Sequence, residues 1–248
     1  MNKYNPLFYA LTWHAKNDFN SYLSLELIEK FPNNTLLHLA VNDMNHDEVD
    51  NILKQALDCG ITNIFALRGD ASTKNGNFPH AIDLVTFIRN RFGNKFSIGV
   101  AGYPEMHPES LSKDLDLLYL KTKVDAGADF IITQIFFEAE IFINFVKDCR
   151  KIGIDVPIIP GIFPINNYKS LEKVTKFCKV KVPQKILDDL QNIIDNDEAI
   201  NKYGIHLATN IIKYILESRT AHGFHLFTLN RLSLSKEICD RTGMFGEL

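Results

Sequence analysis

Apolar residues in this chain gather into seven short runs, at 7–13, 36–41, 64–67, 96–101, 130–135, 157–162 and 224–229. Within each run they are nearly continuous rather than alternating, the pattern of a strand buried on both faces. Between the runs lie longer stretches, 47–59, 81–92, 111–126, 138–152 and 168–178, whose apolar residues recur every three or four positions. That period predicts amphipathic helices. Strand and helix alternate at intervals of about thirty residues, which predicts parallel strands joined by right-handed crossovers. The last unit is longer, with 183–194 and 198–218 both helical before the final strand. Pro183 suits a first helical turn, and Asp195-Asn196-Asp197 suits a break followed by a cap.

Two architectures fit such a series, an open doubly wound sheet and a closed eight-stranded barrel. The first βα turns carry neither a Gly-x-Gly-x-x-Gly fingerprint nor a Gly-x-x-x-x-Gly-Lys loop, so the nucleotide-binding open sheets lose their main support. The barrel is favoured, as one domain spanning residues 1–248. Seven runs are one short of a closed barrel, so the expected fold is an α/β, (β/α)8-type barrel lacking its first βα unit.

Composition narrows the function. Hydrophobic residues at 46% and charged residues at 23% are globular values, which argue against disorder. A net charge of −3 and the lack of a basic run argue against a nucleic-acid partner. Cys59, Cys149, Cys178 and Cys239 lie far apart without Cys-x-x-Cys spacing, which predicts free thiols in a reducing compartment rather than a disulfide frame or zinc site. No apolar stretch is long enough to span a bilayer and the N-terminus shows no signal-peptide core, so a cytoplasmic protein without a membrane partner is expected. A homo-oligomer is compatible with the chain but not specified by it.

The chemistry-bearing residues sit where the apolar runs stop. The run Ile64-Phe65-Ala66-Leu67 passes directly into Arg68-Gly69-Asp70, the form of a buried strand ending at a functional rim. An ordinary solvent-facing turn is the alternative. Gly69 would let backbone approach a ligand closely, and Asp70 would place a fixed charge at the barrel mouth. The first run ends in Thr12-Trp13-His14, and His38 lies within the second, where a histidine is more often a satisfied core residue than a ligand. His14, His38 and His107 could together suggest a metal-dependent barrel hydrolase, but no His-x-His pair supports it. The fourth run leads into Gly102-Tyr103-Pro104-Glu105-Met106-His107-Pro108-Glu109, and the fifth carries Thr133-Gln134, whose amide must find partners. Arg231, at the end of the last run, suits a carboxylate or phosphate, although an arginine is more often a surface residue.

Taken in order, these segments resemble the catalytic domain of methylenetetrahydrofolate reductase. The resemblance rests on Ala66-Leu67-Arg68-Gly69-Asp70, on Ala101-Gly102-Tyr103-Pro104 with His107-Pro108-Glu109, and on the stretch from Lys123 through Gln134. It extends to Ile159-Pro160-Gly161-Ile162-Phe163-Pro164 and Phe227-Thr228-Leu229-Asn230-Arg231. Each segment alone is weak; the ordered set is specific, and the wording at Thr12-Trp13-His14 is similar to the eukaryotic branch. The resemblance implies a FAD-containing barrel that passes a hydride from NAD(P)H through flavin to 5,10-methylenetetrahydrofolate, giving 5-methyltetrahydrofolate. It implies that Thr12, His38, Arg68, Gly69, Asp70, Tyr103, His107, Asp116 and Lys123 line the FAD. Lys123 would meet the pyrophosphate and Asp116 ribitol or ribose hydroxyls, while Gln134 would meet the pterin, Tyr168 would stack where nicotinamide or folate enters, and Arg231 would help hold the folate. Asp70 would act electrostatically, disfavouring anionic reduced flavin and favouring a cationic folate iminium.

One departure stands beside the match. The family's first strand carries a Glu-Phe-Phe-Pro-Pro segment whose glutamate is the general acid toward the folate nitrogen, and these 248 residues do not include it. Glu26 and Glu29 belong to the following helix region, and Glu105 and Glu109 to the flavin-side loop, so none replaces it. The expectation is an N-terminally shortened barrel with its FAD site retained, whose turnover suffers the roughly 10²–10⁴-fold loss that follows removal of a positioned acid. The eukaryotic members also carry a C-terminal regulatory domain that binds S-adenosylmethionine; its inhibition is not expected here. A non-catalytic flavin- or folate-binding relative is the alternative reading.

Overall fold

The computed structural model describes residues 4–12, 30–69 and 76–243. Their strands are β1 (Tyr9–Thr12), β2 (Thr35–Ala40), β3 (Asn63–Leu67), β4 (Ser97–Gly102), β5 (Phe130–Thr133), β6 (Ile158–Ile159), β7 (Gly161–Ile162) and β8 (His225–Leu226). Their helices are α1 (His46–Asp58), α2 (Ala81–Phe92), α3 (Lys113–Asp125), α4 (Ala139–Lys151), α5 (Tyr168–Cys178), α6 (Gln184–Gln191), α7 (Asp197–Glu217) and α8 (Leu232–Thr242). All seven apolar runs contain a strand, and the fold is α/β, as the alternation predicts. β1 to β6 lie in sequential order in one sheet, and β7 pairs with β8 in a second.

The described residues divide into two compact units. One comprises 6–101 and 119–131, the other 1–5, 102–118 and 132–248. In the first unit β1, β2, β3 and β4 pair in parallel with an unbroken register, from Tyr9 opposite Thr35 to Ala66 opposite Val100. Leu36, Leu37, Leu39, Ile64, Ala66, Ile98 and Val100 are fully buried, so successive residues are sequestered on both faces. That accounts for the continuous apolar runs. α1 begins at a capping box, Asn45 accepting from the Glu48 backbone and the Glu48 carboxylate accepting from the Asn45 N–H. The Arg89 side chain, at the end of α2, donates to the carbonyls of Gly93, Phe96 and Gly127 and pairs with Asp129 at 2.6 Å.

In the second unit the strands are fragments. The sixth apolar run is cut at Pro160, with β6 on one side and β7 on the other, because proline has no N–H to continue a ladder. Its carbonyl still accepts from the His225 N–H at 2.9 Å. The core here is built by side chains from loops and helices: Ile135, Phe137, Phe163, Ile165, Leu171, Ile186, Leu190 and Ile200. α7 packs so closely that a Cβ at Gly204 would stand 1.8 Å from the Ile165 carbonyl oxygen, so only glycine fits. Pro183 stands at the cap position before α6, one residue outside the first turn where the sequence places it. α8 is an element the apolar pattern does not predict.

Candidate functional site

In the first unit the predicted residues collect at the C-terminal ends of neighbouring strands. Thr12 ends β1 and is level with His38 in β2, which is level with Phe65 in β3. His38 is buried, and its ring lies 4.8 Å from that of Phe65. β3 is followed by Arg68, whose Nε donates to the Gly69 carbonyl at 3.4 Å. Gly69 has φ of 99°, a conformation that favours glycine, and a Cβ there would lie 2.1 Å from Asn42 Oδ1. The strand-to-loop turn is thus packed against the Asn42 side chain, and only glycine fits there. Asp70, assigned the electrostatic role, lies outside the described residues, as does His14. Lys123, on α3, donates through Nζ to the Ala101 carbonyl at 2.7 Å, which holds its ammonium at the end of β4.

In the second unit the loop after β4 carries three predicted residues in one connected arrangement. The rings of Tyr103 and His107 meet edge to face at 4.5 Å. The His107 N–H donates to Asp116 Oδ2 at 3.1 Å, and His107 Nδ1 accepts from the Glu109 N–H at 3.1 Å. Because Nδ1 is occupied as an acceptor, a neutral His107 carries its proton on Nε2. Met106 between them has φ of 82°, a costly conformation for a residue with a side chain. Gln134 N–H donates to the Gly102 carbonyl at 2.8 Å, and the Gln134 Oε1 accepts from the Ile135 N–H at 2.9 Å. With Oε1 so engaged, the amide presents Nε2 as a donor.

Tyr103, Glu105, Gln134 and Cys178 line one small recess. Burial pushes the Glu105 carboxyl above its ordinary pKa, opposed by a hydrogen bond from the Lys181 N–H at 3.1 Å. Tyr168 opens α5 behind the Asn167 cap and packs against the Phe137 and Phe163 cluster with Phe227. Arg231 is exposed at the cap position of α8, its N–H donating to the Thr228 carbonyl. A larger open cleft of about 590 Å³ is lined by Asn166, Asn167, Asp197, Glu198, Asn201, Lys202, Glu237 and Arg241, none of them a predicted site residue.

Sequence reasoning missed the groups that hold these residues. Asn42 beneath Gly69 follows the second apolar run directly, a position that could have flagged it. His225 is buried at the start of β8, where desolvation pushes its pKa down to about 4 and leaves it neutral. The four cysteines are free; burial pushes the Cys149 thiol up to about 12 and makes it unreactive. No helix among the described residues is long and apolar enough to cross a membrane.

An α/β chain of sequential parallel strands, with histidine, arginine, lysine and glutamine at their C-terminal ends, has the build of an enzyme of the barrel class. The chain belongs to the methylenetetrahydrofolate reductase family, whose model matches residues 1–243. It is 44% identical over 250 residues to "Methylenetetrahydrofolate reductase (NADH) 1" of Arabidopsis thaliana, covering 92% of this chain and 41% of that protein. It is 40% identical over 251 residues to "Probable methylenetetrahydrofolate reductase (NADPH)" of Caenorhabditis elegans, covering 96% and 38%. The chain thus spans about two-fifths of the length of these relatives. Among solved structures, an uncharacterised protein from Clostridium thermocellum that binds two copies of 5-methyl-5,6,7,8-tetrahydrofolic acid superposes with a TM-score of 0.60 at 16% identity, covering 96% of this chain and 93% of that one. The likeness extends the shared fold to nearly the whole chain.

Proposed function

We propose that this chain is the catalytic module of a flavin-dependent methylenetetrahydrofolate reductase, taking electrons from a nicotinamide cofactor and delivering them to 5,10-methylenetetrahydrofolate. The observation that carries the reading is the family match over residues 1–243, joined to strand-end residues already held by backbone partners. The names of the relatives give both NADH and NADPH as the reductant. The structural relative's methyltetrahydrofolate is the product class of the same reaction.

The residues fit FAD. Gly69 would present backbone without a side chain to a flat group, and Lys123, whose ammonium is held at the Ala101 carbonyl, would bind phosphate oxygens as a point charge. Arg68 would add a second cation, and Thr12, His38 and Tyr103 would line the site. Asp116 would accept from sugar hydroxyls beside its bond to the His107 N–H. When bound, the flavin supplies a two-electron carrier between nicotinamide and folate.

The remaining work falls to this chain's own groups. Gln134 Nε2 would donate to a pterin acceptor, and Tyr168 would offer a ring face to nicotinamide or folate. Arg231, exposed at the start of α8, would pair with the folate's carboxylates. Asp70 would place a negative charge where the folate ring opens, favouring the cationic iminium that accepts hydride. The test is anaerobic reconstitution with FAD. Flavin absorbance that persists through gel filtration, bleaches with NAD(P)H and recovers on adding methylenetetrahydrofolate supports the reading. A reconstituted chain that stays colourless, or that NAD(P)H cannot bleach, overturns it.

A further inference from the structure

We propose that the open cleft of the second unit binds a small uncharged polyhydroxy compound, a sugar or an acyclic polyol, through the side-chain amide of Asn166. All of its lining residues belong to that unit, and none has a part in the flavin and folate roles proposed above. Asn166 is the most buried of them, only 7% exposed, yet its side chain makes no hydrogen bond or ion pair among the described residues. A buried amide without a partner costs free energy, and the space this one borders is the cleft. Its position is set on both sides. A Cβ on Gly204 of α7 would stand 1.8 Å from the Ile165 carbonyl oxygen, so Ile165 is clamped against that helix. Asn167 caps α5 by accepting from the Ser170 N–H at 2.7 Å. An amide on so fixed a backbone is a preorganised binding group.

The unspent groups select the ligand. The Asn201 amide and the Asp197 carboxylate also make no hydrogen bond or ion pair among the described residues. The two cations of the lining are already engaged, Lys202 with Glu198 at 2.7 Å and Arg241 with Glu237 at 2.6 Å. Acids outnumber bases there, Asp197, Glu198 and Glu237 against Lys202 and Arg241, which disfavours an anion such as a phosphate ester. No aromatic ring lines the cleft among the described residues, so a nucleobase, flavin or pterin would find nothing to stack on. The buried group is a neutral amide and the free carboxylate is exposed, which favours an uncharged ligand over an ammonium. What remains is a pair of amides that donate and accept and a carboxylate that accepts, the complement of hydroxyl groups, which do both. Vicinal hydroxyls can bridge the two oxygens of Asp197 while others meet Asn166 and Asn201. Hydroxyls also reproduce the bonds that water would make to these groups.

Ligand-observed NMR titration of the full chain with D-ribose and with sorbitol, and with D-ribose 5-phosphate as the anionic control, tests this; far-UV circular dichroism confirms that each variant folds. Millimolar binding of at least one polyol is expected, with the phosphate at least about fivefold weaker. Asn166→Leu is expected to weaken polyol binding at least about tenfold. Asn201→Ala, at a half-buried position on α7 outside the core, is expected to weaken it about threefold. Asp197→Asn removes the net negative charge and should bring the phosphate to within about twofold of the neutral ligand. Neither polyol binding to the wild type, the phosphate binding as tightly as the polyol, or affinities unmoved by both Asn166→Leu and Asn201→Ala overturns the proposal.

Discussion

The two units realise one α/β plan by different means. In the first, β1 to β4 form an uninterrupted parallel ladder whose side chains are apolar on both faces, and backbone hydrogen bonds carry the register. In the second, β6, β7 and β8 have two residues each, and the work passes to side chains and helices. Thr133 reaches across to the Gly161 N–H at 2.9 Å, and His225 and Asn166 are buried polar residues, whereas in β2 to β4 only Thr35, at the start of β2, and His38 interrupt the apolar interior. A ladder tolerates few polar interior groups because its backbone is already paired. Broken strands leave N–H groups that polar side chains must reach.

The comparison predicts different responses to mutation. The largest effect belongs to the ladder. Leu37 is fully buried in β2, level with Leu11 on one neighbour and Ile64 on the other. Leu37→Ala should cost about 2–5 kcal/mol in denaturant unfolding, with little dependence on pH, because only apolar contact and packing are lost. A cost below about 1 kcal/mol would show that the ladder relaxes around the cavity and is not the rigid partner in the comparison.

Next in size is a pH effect centred on the second unit. His225 is buried with its pKa pushed down to about 4 by desolvation, against an ordinary value of 6.5. Between those values the unfolded chain binds a proton that the folded chain refuses, so its contribution to stability is full above pH 6.5 and is lost as pH falls toward 4. The loss amounts to about 1.4 kcal/mol per pH unit and about 3 kcal/mol in all. Urea midpoints for wild type should therefore fall through this window, and His225→Phe should flatten that part of the profile. An equal slope in the variant would assign the acid sensitivity elsewhere.

What could be read from sequence follows the same division. The ladder strands were legible because burial on both faces leaves continuous apolar runs, and the break at Pro160 lies within the sixth run in plain view. α8 was not, because among its eleven residues only Leu234, Ser235 and Ile238 are buried while Leu232 is exposed, too few for a helical period. Site residues were placed at strand ends correctly for Thr12, Arg68, Gly69 and Gln134, since polar residues interrupting apolar runs mark those ends. Their supports were illegible. The Ala101 carbonyl that holds Lys123 stands 22 residues away, and a backbone acceptor leaves no trace in residue type.

The smallest of these effects is the sharpest test of the contrast. Thr133 ends β5 almost wholly buried, and its hydroxyl is the partner of the Gly161 N–H at the start of β7. The two backbones are close enough that a Cβ on Gly161 would lie 2.1 Å from the Thr133 carbonyl, so water has no room to replace the hydroxyl. Thr133→Val keeps the shape and removes the acceptor, leaving a buried N–H unpaired at a cost of about 1–3 kcal/mol. Thr133→Ser keeps the acceptor and should recover most of that loss, less the small contribution of one methyl group. If both variants lose the same amount, packing rather than the hydrogen bond joins β5 to β7, and the second unit is built like the first.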